Sequence, residues 1–92
     1  MIEKENLEHY AWITRGTQRM AVLKALSKVM SPSLIRKASR EFNEKISLPN
    51  TSDILGSFVK RGLAKCLNND AKRGRLYKLT KTGEEIRAML IS

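Results

Sequence analysis

Three long cations stand close together near residue 73 and define the first candidate chemistry of this 92-residue chain. Lys72, Arg73 and Arg75 follow a polar run at residues 68–70, and Gly74 lies among them. Asparagine, aspartate and glycine are residues that tight turns favour, so we expect the cations at the tip of a turn. Lysine and arginine in such a position bind phosphate groups or enter a DNA minor groove. The pattern therefore indicates contact with a nucleic acid.

A second group of side chains has the chemistry to read base edges. Its members, at the start of a helix predicted from about residue 50, are short and able to hydrogen-bond: Asn50, Thr51, Ser52 and Ser57. Short side chains let a helix lie deep in the major groove, where each base pair presents its own donor and acceptor pattern. Asp53 lies among them and would repel phosphate. We expect it to favour the helix start electrostatically, with acceptance from a cytosine amino group as the alternative.

Residue types that support catalysis or metal binding do not form a recognisable catalytic or metal-binding motif in this sequence. The sequence has no Gly-rich phosphate loop, no Ser/His/Asp set and no paired carboxylates in an apolar setting, so we expect no enzyme activity. His9 is the single histidine and has no partner at ligand spacing, so no metal or other cofactor is expected. Cys66, the single cysteine, is expected to be a small core residue of a strand, with a redox sensor as the minor alternative.

The distribution of charge favours a polyanionic partner. The net charge is +9, and residues 14–45 hold eight basic and two acidic residues, while residues 64–81 hold six basic residues and one acidic residue. An ordinary solvated surface mixes its signs more evenly than this. For Arg36, Lys37 and Arg40 the ordinary-surface interpretation stays open beside the nucleic-acid one.

Length, hydropathy and cysteine content together predict the domain organisation and the cellular location of the chain. Ninety-two residues predict one domain, residues 1–92, of which residues 1–11 are expected to form a loose arm. No apolar run approaches the ~20 residues that a membrane-spanning helix needs, and the first residues are too charged for a secretory signal. A lone cysteine fits a reducing compartment. We therefore expect a cytoplasmic protein without a membrane partner.

Apolar periodicity predicts a first helix from Thr17 to the Ser31-Pro32 pair, because a residue that precedes proline avoids the helical conformation. Its apolar residues recur at steps of three and four: Met20, Leu23, Leu26 and Met30. Ser31 is a suitable N-cap and Pro32 a suitable first residue for a second helix. The apolar stripe of that second helix is Leu34, Ile35, Ala38 and Phe42. A connection follows over residues 43–49, with Ile46 and Leu48 expected to point inward.

The third helix is predicted to begin near Asn50 and to end at Gly62, a left-handed C-cap. Its buried face is expected to be Leu55, Phe58 and Val59. Residues 63–67 and 76–80 are two short extended runs, and the charged turn between them predicts a β-hairpin. A last helix opens at Thr82. This order predicts a mainly α (α+β) winged helix-turn-helix, with three helices, a two-stranded hairpin wing and a C-terminal helix.

Four stretches of sequence carry a family resemblance. Two belong to the hairpin region, at residues 61–67 (RGLAKCL) and 73–83 (RGRLYKLTKTG). The other two, at residues 12–19 (WITRGTQR) and 48–55 (LPNTSDIL), precede the first helix and open the third. Together they resemble archaeal winged-helix transcriptional regulators of the MarR and ArsR types, over residues 12–90. The long connection before Pro49 departs from that group, which usually has a tighter turn.

The resemblance implies a sequence-specific transcriptional regulator that binds double-stranded DNA. The second and third helices would form the helix-turn-helix, with the third in the major groove and the wing on the backbone or in the minor groove. The start of the first helix would add phosphate contacts. The DNA-binding residues implied in this way are Arg15, Thr17, Arg19, Ser33, Asn50, Thr51, Ser52, Ser57, Lys72, Arg73 and Arg75.

Other modes of binding stay open at this point. Winged helices also serve as protein-interaction or RNA-binding modules of larger assemblies, although the third helix and wing carry polar and basic residues here. A homodimer is expected, either through Tyr10 and Trp12 or through the last helix with Met89, Leu90 and Ile91. Packing within the domain is the alternative role of Tyr10 and Trp12. The sequence shows no evident pocket for a small-molecule effector.

Overall fold

A computed structural model describes residues 3–92 of the chain. Over this range the chain folds into five helices and one two-stranded antiparallel sheet. The elements, in order, are α1 (Lys4–Thr14), α2 (Thr17–Ala25), α3 (Pro32–Ser39), α4 (Leu48–Lys60), β1 (Ala64–Cys66), β2 (Tyr77–Leu79) and α5 (Lys81–Ile91). The structure therefore has one helix more than the predicted fold. The additional helix is α1, which precedes the three helices predicted before the hairpin. None of the described helices is both long and apolar enough to cross a membrane.

The arm predicted for residues 1–11 is wrong where the structure describes it, because these residues form most of α1; residues 1 and 2 lie outside the described range. The periodicity of this helix is weak, and tertiary packing stabilises it instead. Ile13 is fully buried in the core, and Tyr10 packs against it from the side. Asn6 donates a side-chain hydrogen bond of 2.8 Å to Glu85, which connects α1 to α5.

The first predicted helix is shorter than expected. α2 begins at Thr17 as predicted but ends at Ala25, and Leu26 leaves the helical conformation with ψ of 72°. Met30 instead pairs with Tyr77 in an isolated antiparallel bridge, with N–O distances of 3.0 and 2.9 Å. A third chain segment thus lies beside β2. Met30 stays in the core, as its helical spacing predicted, although its backbone is extended.

α3 and α4 are the two helices expected to form the helix-turn-helix. Ser31 accepts a hydrogen bond from the backbone of Leu34, which confirms the predicted N-cap of α3. The predicted apolar stripe is wrong at both of its ends, because Leu34 and Phe42 are more than half exposed and Ser39 ends the helix. α4 begins at Leu48 rather than near residue 50.

Ser47 caps α4 by accepting from the backbone N–H of Asn50 at 3.2 Å, and Leu48, which was expected to point inward, is exposed. The far end follows the prediction. Gly62 has a φ of +75°, and its N–H donates to Val59, while the N–H of Leu63 donates to Phe58. These two bonds form a Schellman motif, which ends α4 and turns the chain into β1.

The hairpin and α5 complete the core. β1 and β2 pair in register with Ala64 opposite Leu79, and the wing turn lies between them as predicted. α5 is capped by Thr80 rather than opened at Thr82, and the Thr80 hydroxyl also donates to the Gly62 carbonyl at 2.6 Å. The core these elements enclose contains Ile13, Val22, Leu23, Leu26, Met30, Ile35, Ile46, Leu55, Phe58, Leu63, Ala64, Tyr77, Leu79 and Ile86.

Candidate nucleic-acid interface

A groove of about 600 Å³ separates α4 from the tip of the wing. The first residues of α3 also line it. Five of the residues expected to bind DNA line this groove together: Ser33, Ser52, Lys72, Arg73 and Arg75. All five are exposed, so their hydroxyl and cationic groups are open to a ligand. The groove thus brings residues from three separate elements into one site.

The surface of α4 divides into a buried and an exposed face. Leu55 and Phe58 are fully buried, as predicted, whereas Val59 is 40% exposed and does not belong to the buried face. Thr51 takes that place. It is 0% exposed and donates its hydroxyl to the Ser47 carbonyl at 2.8 Å. The expectation that Thr51 contacts DNA is therefore wrong for this conformation, because no part of its side chain is accessible.

Three other polar residues of α4, Ser52, Asp53 and Ser57, differ in exposure and in hydrogen bonding. Ser52 and Asp53 are exposed. Ser57 is half-buried and donates its hydroxyl to the Asp53 carbonyl at 3.2 Å, one turn earlier in the same helix. Of these side chains, only Ser52 also lines the groove. Ser52 is therefore the α4 hydroxyl best placed to contact a ligand that enters there.

Asn68 organises the wing. Its side-chain oxygen accepts from the backbone N–H of Leu76 at 2.7 Å, and its side-chain nitrogen donates to the Gly74 carbonyl at 3.1 Å. Arg75 adds a bond from Nε to the Ala71 carbonyl at 2.9 Å. The sequence identified residue 68 as a turn former, but its role in bridging the two arms of the turn depends on the closed hairpin.

A second cluster lies where the start of α2 meets the start of α4. Asn50 donates from its side-chain nitrogen to the side-chain oxygen of Gln18 at 3.1 Å. Asn43, in the α3–α4 connection, donates in the same manner to the Thr17 hydroxyl at 3.3 Å. Two expected DNA contacts, Thr17 and Asn50, therefore lie on one surface at neighbouring helix starts. Sequence reasoning missed Gln18 and Asn43, although both are polar residues near predicted helix ends.

The half-buried side chain of Arg19 makes its contacts with Trp12. Its guanidinium lies 4.2 Å from the centre of the Trp12 ring and donates to the Trp12 backbone carbonyl at 2.9 Å. The Arg61 guanidinium lies 4.0 Å from the centre of the same ring. The edge of that ring packs on Phe58, with the centroids 5.9 Å apart. These contacts differ from the expected role of Arg19, which was to contact DNA, and they place Trp12 in packing, one of the two roles expected for it.

Arg15 is the C-cap residue of α1 and is exposed. The basic residues of α3 and of its C-cap differ in their exposure. Lys37 and Arg40 are exposed, whereas Arg36 is half-buried and its Nε has no hydrogen-bond partner. No group of three or more metal-binding side chains occurs between residues 3 and 92. The chemistry that this surface offers is hydrogen bonding and attraction of anions.

No protein-family model matches the sequence, and no curated protein matches it. Two solved structures share its fold. TubR from Bacillus thuringiensis serovar israelensis pBtoxis, solved bound to 24 bp of tubC, is 15% identical with a TM-score of 0.69, over 99% of this chain and 97% of its own. Wild-type MarR from E. coli, solved in its apo form, is 21% identical with a TM-score of 0.57, over 98% of this chain and 75% of its own. This chain therefore has the winged-helix fold of these two proteins.

Proposed function

We propose that this protein is a sequence-specific transcriptional regulator that binds double-stranded DNA through α4 and the wing. The observation that carries the proposal is the groove, which serines of α3 and α4 line together with three wing cations. Anions and hydrogen-bond acceptors are what such a surface recognises, and a DNA backbone supplies both in a regular array. TubR, which shares the fold over nearly the whole chain, was solved bound to 24 bp of tubC, which supports the proposal.

In the proposed complex α4 enters the major groove. Its 13 residues span about 20 Å, and a major groove about 12 Å wide admits a helix. Asn50 and Ser52 contact base edges near the start of α4, and Ser33 binds phosphate beside them. Lys72, Arg73 and Arg75 bind the backbone or the adjacent minor groove. Arg15, at the end of α1, and Thr17, at the start of α2, add phosphate contacts.

A pool of random duplexes, selected by binding and then sequenced, tests this function. The expected result is enrichment of a defined motif, with affinity that falls steeply between low and moderate salt. Double-stranded RNA of matched length is the comparison ligand. Binding that ignores salt, or the absence of binding to any duplex at low salt, contradicts the proposal. Preference for RNA, or capture of a protein partner without DNA binding, favours the interaction-module alternative.

We also propose a homodimer in the DNA complex, because a pair of domains reads two half-sites and so multiplies a small contact surface. Leu7 on α1 and Ile91 on α5 are 50% and 54% exposed, and these two helices pack together. Sedimentation with and without DNA measures the mass. A strict monomer at high concentration in both conditions contradicts the dimer, and Ile91→Lys is expected to dissociate it without lowering the melting temperature.

A further inference from the structure

Gly56 lies at the ninth position of the 13-residue α4, where glycine is the least favourable residue other than proline. Its φ is not positive, so the backbone there does not require glycine. A Cβ built on it would have no heavy atom within 4 Å, so packing does not require glycine either. An alanine would be accommodated and would stabilise the helix. The folded chain by itself therefore gives no reason for the missing side chain.

The location of Gly56 points to a ligand. It lines the groove between α4 and the wing, one turn after Ser52 and on the side of α4 that faces Arg73 and Arg75. A side chain at position 56 would project into the space that the proposed DNA ligand has to enter. A glycine that neither backbone conformation nor packing requires is typical of sites where a ligand approaches the backbone closely.

The ligand part that crosses this space follows from duplex geometry. When a recognition helix lies in the major groove and a wing reaches the adjacent minor groove, the strand that separates the two grooves passes between them. We infer that Gly56 provides clearance for the sugar–phosphate backbone of that strand. This inference rests on the proposed function and adds to it a residue that acts by its lack of a side chain.

The clearance role predicts opposite changes in stability and in binding. Gly56→Ala is expected to raise the melting temperature by roughly 2–8 °C, because it removes the helix penalty of glycine. The same change is expected to weaken binding about tenfold. Gly56→Leu is expected to weaken it further. Cognate and random duplexes lose affinity alike, because the contact is with the backbone. The slope of log K against log salt is expected to stay unchanged, because no cation is removed.

Thermal melts and salt titrations by fluorescence anisotropy measure these quantities, with a cognate and a scrambled duplex. Ser27→Leu, which adds bulk at an exposed position between α2 and α3 and outside the groove, is the control and is expected to bind like the wild type. Wild-type affinity in Gly56→Ala overturns the inference and leaves the proposed function standing. A lower melting temperature in Gly56→Ala also overturns it, because the glycine would then serve the fold. A wild-type protein that binds no duplex instead defeats the proposed function itself.

Discussion

The side-chain oxygen of Asn68 accepts a hydrogen bond from the backbone N–H of Leu76 at 2.7 Å, and so joins the two ends of the wing turn. The side-chain nitrogen of Asn68 donates to the Gly74 carbonyl, within the cationic part of the turn. One amide therefore fixes the path of the backbone that carries Lys72 and Arg73. The cations are exposed, but the loop beneath them is hydrogen-bonded into a defined shape.

Asn68→Ala is expected to loosen the wing and to weaken binding to all duplexes, because the cations lose their defined positions. The loss of two partly exposed hydrogen bonds is expected to lower the free energy of unfolding by about 1–2 kcal/mol. Asn68→Asp keeps the oxygen that pairs with Leu76 but sets a second acceptor against the Gly74 carbonyl and a negative charge beside the wing cations, so its affinity for duplexes should be no higher than that of Asn68→Ala. Urea unfolding and duplex titration measure both effects. Wild-type affinity in Asn68→Ala would show that wing order is irrelevant to binding.

Arg73→Ala is expected to weaken cognate and random duplexes to a similar extent and to make the salt slope shallower by about one unit, because it removes one phosphate contact of the proposed complex. Lys4→Ala removes a cation from the exposed start of α1 and is the matched control, with no change in slope expected. Binding at a series of salt concentrations measures the slope. A selective loss of cognate binding in Arg73→Ala would instead make the wing a reader of sequence.

Ser52 and Thr51 are neighbours in sequence with opposite expected effects. Ser52→Ala is expected to cost about 1–3 kcal/mol on the cognate site and little on random DNA, because in the proposed complex its exposed hydroxyl reads a base edge. Thr51→Val removes a buried hydroxyl that bonds to Ser47, and is expected to lower stability by about 1 kcal/mol while base preference stays the same. Competition binding and thermal melts separate the two. Reversed effects would place Thr51 at the interface.

The sequence predicted those features that local chemistry determines. Ser31 and Gly62 act as caps because an N-cap hydroxyl and a left-handed C-terminal residue are requirements of the helix itself. The turn between β1 and β2 follows in the same way from its asparagine and glycine residues. The prediction that the cations at its tip lie on an exposed loop is therefore confirmed.

Features that depend on contacts distant in sequence were missed. α1 is stabilised by its packing against α5, and the partner of Asn6 is Glu85, 79 residues away. Met30 leaves the helix because Tyr77 offers a backbone partner. The buried position of Thr51 had a local signal, since it lies four residues before Leu55 on the same helix face. The polar side chain of Thr51, and a helix start predicted near residue 50 instead of at Leu48, led to the prediction of a DNA contact.

Arg19 is expected to act on stability rather than on DNA binding. Its guanidinium stacks on the Trp12 ring and donates to the Trp12 carbonyl, so Arg19→Ala removes a cation–π contact and a charged hydrogen bond. The expected loss is about 1–2 kcal/mol of unfolding free energy, with the salt slope of duplex binding unchanged. Arg19→Lys keeps the charge without the planar group that stacks, and should restore only part of the stability. Chemical unfolding and salt titration of both variants check this. A slope that becomes shallower by one unit in Arg19→Ala, with stability unchanged, would return Arg19 to the phosphate contacts that the sequence predicted.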